Sequence, residues 1–452
     1  MKMIYGVKDK PKFPAILVFA FQQLLAIMAA TIAVPMIVGN GMSTSAALFG
    51  AGIGTLVYVA FTRAKSPVFL GSSFAFLGSM ASAFGGGVAV GLGYLGLIIG
   101  AVLAGLVYVV IAIIVKAVGV NWVSKLMPAV VIGPTVAIIG LSLAGNAIGD
   151  LGATDANFAA ADTPVNVYIK IICGVITLAV TMLCSVYGKK MGKLIPFIIG
   201  ILAGYAAASV FFVIGNATGN DALKVIDYTA LTSLFDKISI NSFVALPDFT
   251  FFKAFGSFDQ FSPAYLGTIA VAYIPVAFVV FAEHIADHKN LSSIIEHDLL
   301  KDPGLSNTLL GDGVGSMVGA LFGGCPNTTY GESVGCVAIT KNASVRTIIV
   351  TAIEAMLISF IAPFVGFLST IPSCVMGGVC VALYGFIAVS GLKMLQKVDL
   401  DDNRNLFTAS VILIAGVGGM VLKFGNVTIT EVACALILGI LTNIMLGRKK
   451  SK

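Results

Sequence analysis

Apolar runs of about twenty residues recur along this chain and constrain its fold more than any other feature. Clear examples occupy residues 15–37, 92–115, 165–186, 194–213 and 263–282. A helix needs about 20 apolar residues to cross the hydrocarbon core of a bilayer, and backbone exposed to lipid must satisfy its hydrogen bonds internally. The runs therefore predict an all-α, polytopic membrane protein.

Composition excludes a soluble globular fold. Hydrophobic residues make up 58% of the chain and charged residues 11%, whereas a soluble domain carries about 25% charged residues. When the shorter, glycine-interrupted runs are counted as well, the sequence predicts about 14 spans. No motif indicates a cofactor, and none is expected.

Lysine and arginine are concentrated at both termini and in alternate loops. Two of those loops carry Arg63 with Lys65 and Lys289 with Lys301. Cytoplasmic loops of membrane proteins carry an excess of these residues, so we expect both termini in the cytoplasm and an even number of spans. The net charge of +6 is spread over many loops and gives no indication of a nucleic-acid partner.

The two halves of the chain resemble each other on either side of a polar and aromatic break at residues 215–262. Pro128 opens the run PAVVIG late in the first half, and Pro372 opens PSCVMG late in the second. Each half also has a short Gly-rich polar segment at its third span, GSSFAF from Gly71 and GESVG from Gly331. An odd number of spans per half inverts the two copies, and paired interruptions of this kind point to the midplane site of a transporter.

Three carboxylates lie in apolar sequence close to these breaks. Glu283 and Asp287 are four residues apart, on one face of a predicted helix, and Glu332 is flanked by glycine and serine. A charge near the bilayer centre costs at least about 2.5 to 3.5 kcal/mol, so such residues usually face a cavity and bind a polar substrate or ion. Neighbouring carboxylates in an apolar setting also favour proton uptake. The alternative for Asp287 is a solvated position at the cytoplasmic interface.

The histidines of the chain fall together, at His284, His288 and His297. His288 is expected at the cytoplasmic mouth, where it would assist proton release. The spacing of His284 and His288 also permits a metal pair on one helix face, although no further ligands complete a tetrahedral set. An alternative of another class is a membrane-embedded hydrolase that uses these groups, but no nucleophile with a matched base is evident.

Three motifs in the second half resemble a known transporter family. They are FAEHIADH at residues 281–288, DPGL at 302–305 and PNTTYGESVGCVAITK at 326–341. Together they resemble the nucleobase transporters of the nucleobase-ascorbate (nucleobase:cation symporter 2) family, most closely its bacterial members that carry uracil. Matches at residues 21–24 and 67–76, and at Tyr384 and Asn405, extend the resemblance over nearly the whole chain.

The resemblance implies a fold of 14 spans in two inverted repeats of seven, with a short strand at the start of the third and tenth spans. It implies a core domain of residues 14–120 and 264–370 (spans 1–4 and 8–11) and a gate domain of residues 121–263 and 371–447 (spans 5–7 and 12–14). It also implies a homodimer through the gate domains and a location in the bacterial cytoplasmic membrane.

Carried over residue by residue, the resemblance implies a substrate pocket formed by Glu283, Glu332, Phe74, Gly331, Ala30 and Tyr384. It implies four candidates for carrying the proton, which are Glu283, Asp287, His288 and Glu332. The expected activity is import of uracil or a related nucleobase by proton symport, as the core moves against the gate.

Two positions depart from the family pattern, because Gln23 stands where His is usual and Ser333 where Asn is usual. Asp287 is also typical of purine-transporting relatives, so a xanthine or dual-specificity carrier is an alternative. Xanthine-type members generally have Gln in place of Glu332. An anion carrier of the sulfate-permease type, which shares the implied fold, would need a basic residue there.

Overall fold

The computed structural model describes residues 3–119, 122, 127–161, 164–189, 191–424 and 427–447. The predicted domain boundary between residues 120 and 121 and the basic residues at 448–450 lie outside the described residues. The described part is mostly helical, so the predicted helical class is confirmed.

The helices follow one another along the chain in two long series. In the first half they are α1 (Phe13–Val38), α2 (Thr44–Phe61), α3 (Leu77–Ala83), α4 (Val90–Val118), α5 (Ala129–Ser142), α6 (Ala144–Leu151), α7 (Asp155–Ala160), α8 (Pro164–Tyr187), α9 (Met191–Leu194) and α10 (Pro196–Thr218). Those that follow are α11 (Thr229–Thr232), α12 (Thr250–Ala254), α13 (Pro263–Ile295), α14 (Leu305–Gly323), α15 (Gly331–Thr340), α16 (Val345–Ile358), α17 (Ala362–Ser369), α18 (Ser373–Leu395), α19 (Asn403–Val417) and α20 (Glu431–Gly447).

Among the described residues, eight helical stretches are long and apolar enough to cross a membrane by length and composition. This confirms a multi-pass helical membrane protein. The count of 14 stays a prediction. The eight stretches do not include shorter apolar helices such as α19 and α20, nor segments in which a strand is followed by a short helix.

Two short strands lie where extended segments were predicted. Strand β1 (Leu70–Ser72) pairs antiparallel with β2 (Asn327–Thr329), with Gly71 opposite Thr328. One residue separates β1 from a 3₁₀ turn, Phe74–Phe76, and one residue separates β2 from α15. The corresponding segments are therefore offset by three residues from the predicted match between Gly71 and Gly331. A second antiparallel pair, β3 (Leu422–Phe424) with β4 (Val427–Ile429), was not predicted.

Glycines allow two helix pairs to approach closely. Helix α2 packs along α14, and a Cβ added at Gly54 would lie 2.7 Å from the carbonyl oxygen of Gly315. Helix α5 packs along α18, and a Cβ at Gly133 would lie 2.9 Å from the carbonyl oxygen of Gly391. Small residues at membrane helix interfaces permit this packing. Pro128 and Pro372 are the N-caps of α5 and α18, so both matched prolines open helices as predicted.

Helix α13 carries most of the chemistry predicted for the second half. It begins after Ser262, whose hydroxyl accepts a hydrogen bond of 3.2 Å from the N–H of Tyr265, and has Pro263 in its first turn. Both features favour helix initiation. The helix then runs for 33 residues, which exceeds a bilayer crossing and extends beyond Asp287 and His288.

Candidate functional site

A cavity of about 410 Å³ lies between the two strand–helix breaks, α13, and the helices α5, α10 and α18. Its polar and charged lining includes Glu283, Asp287, Glu332, Thr328, Thr329, Tyr330, Ser390 and Lys193. Its apolar lining includes Ala26, Phe74, Ala75, Val136, Ile139, Phe197, Leu383, Phe386 and Ile387. A pocket that combines an apolar wall with a few convergent polar groups suits a small, partly polar molecule.

The three predicted carboxylates meet in this cavity. Glu283 and Asp287 reach it from α13 and Glu332 from the first turn of α15. The hydroxyl of Thr329 donates a hydrogen bond of 2.8 Å to Asp287 Oδ2, which ties α13 to β2. Among the described ion pairs, none involves these carboxylates, so no basic side chain neutralises them there.

The starts of two helical segments also line the cavity. Helix α15 begins at Gly331, and the N–H groups of a first helical turn have no partner within the helix and lie at the positive end of its dipole. Phe74 opens the 3₁₀ turn after β1, and both Phe74 and Gly331 line the cavity. A Cβ added at Gly331 would meet no atom within 4 Å. The cavity therefore offers hydrogen-bond acceptors and donors, and it reaches the backbone of Gly331.

Two predicted pocket residues lie outside the lining of the cavity. Ala30 is buried in α1, and it is Ala26, one turn earlier, that reaches the cavity. Tyr384 lies behind Phe74, with the two ring centroids 5.9 Å apart and the planes at 79°. The two rings therefore contact each other edge to face, and no ligand-sized gap separates them.

Comparison with known proteins agrees with this architecture. A sequence model described as a permease family matches residues 14–424. The chain belongs to that permease family. The uracil permease of Bacillus subtilis (strain 168) is 37% identical over 457 residues, covering 100% of this chain and 97% of its relative. That of Escherichia coli (strain K12) is 34% identical over 438 residues, covering 96% and 92%. Permeases are transporters, so the prediction of a transporter rather than an enzyme is confirmed.

The fold of this permease also occurs in a solved transporter. The transmembrane domain of the cyanobacterial bicarbonate transporter BicA superposes with a TM-score of 0.63, covers 98% of this chain and 100% of that chain, and is 13% identical in sequence. At that identity the likeness concerns the fold alone.

His288 of the permease is not where the sequence predicted it. His288 is fully buried, so it does not lie at a cytoplasmic mouth. Its Nδ1 is 2.8 Å from the carbonyl oxygen of His284, and its Nε2 is 2.6 Å from the hydroxyl of Tyr58. The cause is helical geometry, because His284 and His288 lie on the face of α13 that packs against the protein, while Glu283 and Asp287 face the cavity.

Asp312 forms a polar centre that sequence reasoning did not identify as a functional residue. It is fully buried in α14, and its Oδ2 is 2.7 Å from His284 Nδ1. The other ring nitrogen of His284 is 3.0 Å from the hydroxyl of Thr308. The signal was present in the sequence, because a carboxylate within a Gly-rich apolar run needs a partner, but sequence alone does not identify that partner as His284.

The two departures from the family pattern contact each other. Gln23 Nε2 donates a hydrogen bond of 2.5 Å to Ser333 Oγ, which also accepts one of 3.1 Å from the N–H of Phe69. All three groups are buried. The two hydrogen bonds join α1 and the segment before β1 to the first turn of α15.

Proposed function

We propose that this permease imports uracil by proton symport. The observation that carries the proposal is the cavity, whose lining brings Glu283 and Glu332 together with the helical starts at Phe74 and Gly331. The full-length similarity to uracil permeases supports the same substrate. A volume of about 410 Å³ is within the range of small-molecule sites and leaves room for a single planar ring.

The hydrogen-bonding pattern of uracil complements these groups. The ring has two N–H donors and two carbonyl acceptors, so Glu283 and Glu332 accept from the donors while the backbone of Phe74 and Gly331 donates to the acceptors. A hydrogen bond to a charged group contributes about 1.5 to 3 kcal/mol. Phe74 covers one face of the ring, and the apolar wall that includes Phe386 and Ile387 excludes water from the other.

We further propose the 14-span architecture of two inverted repeats with a core and a gate domain. The pairing of equivalent elements supports it: β1 pairs with β2, α2 packs on α14, and α5 packs on α18. A pseudo-two-fold axis in the membrane plane brings the corresponding elements of two inverted copies together in this way. Movement of the core, which holds the carboxylates, against α5 and α18 of the gate then exposes the cavity to alternate sides.

The lining of the cavity favours an inward-facing conformation. The cavity extends to Lys193, Ile339 and Met394, which lie near the basic loops around Lys341 and Lys397. Loops rich in lysine and arginine are cytoplasmic. The proposed topology therefore has this opening and both termini in the cytoplasm, with the cytoplasmic membrane of a bacterium as the site of action. A homodimer through the gate domains is part of the same proposal.

A xanthine or dual-specificity carrier is the second candidate, because Asp287 lines the cavity and is typical of purine-carrying members. An anion carrier of the sulfate-permease type is disfavoured by three carboxylates in the cavity, which would repel an anion. A hydrolase is disfavoured because His284 and His288 lie away from the cavity lining.

The test is uptake of labelled uracil into proteoliposomes that contain the purified protein, with and without an inward proton gradient. Competition with xanthine, thymine and 5-fluorouracil separates the candidates. Stimulation by the gradient and inhibition by the pyrimidines alone would support the proposal. Inhibition by xanthine would indicate a purine or dual-specificity carrier, and failure to transport any base would refute a nucleobase substrate.

Gly331→Ala should lower the affinity for uracil without damaging the fold. The added Cβ meets no protein atom within 4 Å, and alanine favours a helix over glycine by about 1 kcal/mol, so the methyl group intrudes only on the space of the ligand. Loss of one hydrogen bond to the ring predicts a KM for uptake raised about tenfold. The matched control is Gly145→Ala in α6, which also has no atom within 4 Å of its added Cβ and should transport normally. A normal KM in Gly331→Ala would mean that the ring does not approach α15.

A further inference from the structure

In the segment of residues 250–260, apolar side chains are exposed and small or polar side chains are buried. A helix exposed to water shows the reverse pattern. It consists of α12 followed by a 3₁₀ turn, Phe255–Gln260. The residues buried against the protein are small or polar, namely Thr250, Ala254 and Ser257. The exposed face instead carries Phe252, Phe255 and Phe258, at 60%, 53% and 58% exposure.

These phenylalanines form one continuous apolar patch. The rings of Phe255 and Phe258 are 5.8 Å apart, and Phe251 bridges to Phe252 at 4.3 Å and to Phe255 at 5.9 Å. Lys253, the basic residue of this segment, points away from the patch. Its Nζ donates a hydrogen bond of 2.9 Å to the carbonyl oxygen of Gly41 and forms an ion pair with Asp248. The exposed face is therefore uncharged from Phe252 to Phe258, and contiguous exposed apolar patches mark contact surfaces.

The position of the patch identifies what it contacts. The segment packs on the first turn of α4, where a Cβ added at Gly91 would lie 3.2 Å from the carbonyl oxygen of Lys253. It is also followed directly by α13, which starts at Pro263. Two long apolar helices, α4 and α13, therefore begin at the level of the patch. The patch lies near the N-terminal end of α13, and the basic loop around Lys301 follows its C-terminal end. Below it, α4 presents exposed apolar residues such as Val102, Leu106 and Val110, as a lipid-facing span does.

We propose that the Phe252, Phe255 and Phe258 face lies in the lipid interface of the bilayer and anchors the long connection between α10 and α13 to the membrane. A helix with an apolar face lies in the interface plane with that face about 5–10 Å into the boundary of headgroups and acyl chains. The inference concerns a segment that does not span the membrane, and it holds whatever the transported molecule is.

The chain suits a fluorescence test because Trp122 is its single tryptophan. In a Trp122→Phe background, Phe255→Trp would report from the patch. The first control is Phe249→Trp, since Phe249 is buried and its ring centroid lies 5.3 Å from that of Phe322. The second is Lys301→Trp, in a loop where the side chain is 87% exposed. Each variant is reconstituted in vesicles with and without lipids brominated at a shallow acyl position, and its uptake is compared with that of the background protein.

Brominated lipid should quench the emission of Phe255→Trp more than that of either control, and aqueous iodide should quench Lys301→Trp more than Phe255→Trp. Quenching of Phe255→Trp by iodide but not by bromine would overturn the proposal, because the patch would then face water. Protection from both quenchers would also overturn it and would indicate a protein cover. In that case, cross-linking of Phe255→Cys between two copies would identify the cover as a second chain.

Discussion

Glu283→Ala should abolish measurable uracil uptake while leaving the protein folded and in the membrane. Glu283 is the proposed acceptor for a ring N–H in a cavity largely walled by apolar residues. Its removal costs the bond itself and leaves a donor of the ring unpaired. Each charge-assisted bond contributes about 1.5 to 3 kcal/mol, which is about ten- to a hundred-fold in affinity. The measurement is the initial rate of uptake into proteoliposomes, together with equilibrium binding of uracil to the purified protein.

Glu332→Gln separates charge from shape at the second carboxylate. The amide keeps the volume of Glu332 and one acceptor oxygen, so binding should weaken by about tenfold without being lost. The matched control is Glu354→Gln. Glu354 also lies in an apolar helix, α16, but it is absent from the lining of the cavity. Wild-type uptake in both Glu283→Ala and Glu332→Gln would refute the proposed site, whereas loss in all three variants would indicate a general effect of removing membrane carboxylates.

Much of the fold could be predicted from local signals. Runs of about 20 apolar residues predicted the long helices, and Pro128 and Pro372 marked the starts of α5 and α18. The Gly-rich polar segments predicted the breaks at β1 and β2. Their exact alignment could not be predicted, because it depends on where each strand ends. The helical turns after β1 and β2 begin at Phe74 and Gly331, which shifts the sequence match of Gly71 with Gly331 by three residues.

For the site, the cost of a charge in lipid was the strongest signal. That cost singles out Glu283, Asp287 and Glu332 in the sequence, and the three side chains line one cavity. Side-chain direction was the weak point. Residues next to each other on α13 diverge by about 100° around the helix axis, so His288 is buried behind the cavity although Asp287 faces it. Tyr384 shows a different limit, because the packing of its ring on Phe74 is a contact between distant parts of the chain that local sequence does not specify.

Asp287→Asn should uncouple transport from protons while largely preserving binding. Asp287 lines the cavity without being needed for the proposed hydrogen bonds to the ring, and its Oδ2 accepts from Thr329 at 2.8 Å. Asparagine has the same shape, and its carbonyl oxygen can keep that bond, but it cannot bind a proton at neutral pH. Because uracil is neutral, its accumulation against a gradient requires a proton that loads and unloads with it.

The magnitude follows from the coupling. If one proton accompanies each uracil, a gradient of about one pH unit supplies 1.36 kcal/mol, which supports roughly tenfold accumulation. Asp287→Asn should lose that tenfold factor yet still exchange labelled for unlabelled uracil across the vesicle membrane. Thr329→Val is the matched control, since it removes the hydrogen bond of 2.8 Å to Asp287 and keeps the titratable group, so accumulation should persist. If Asp287→Asn still accumulates uracil in response to the proton gradient, the proton carrier would instead be Glu283 or Glu332. These are the other acidic residues in the lining of the cavity.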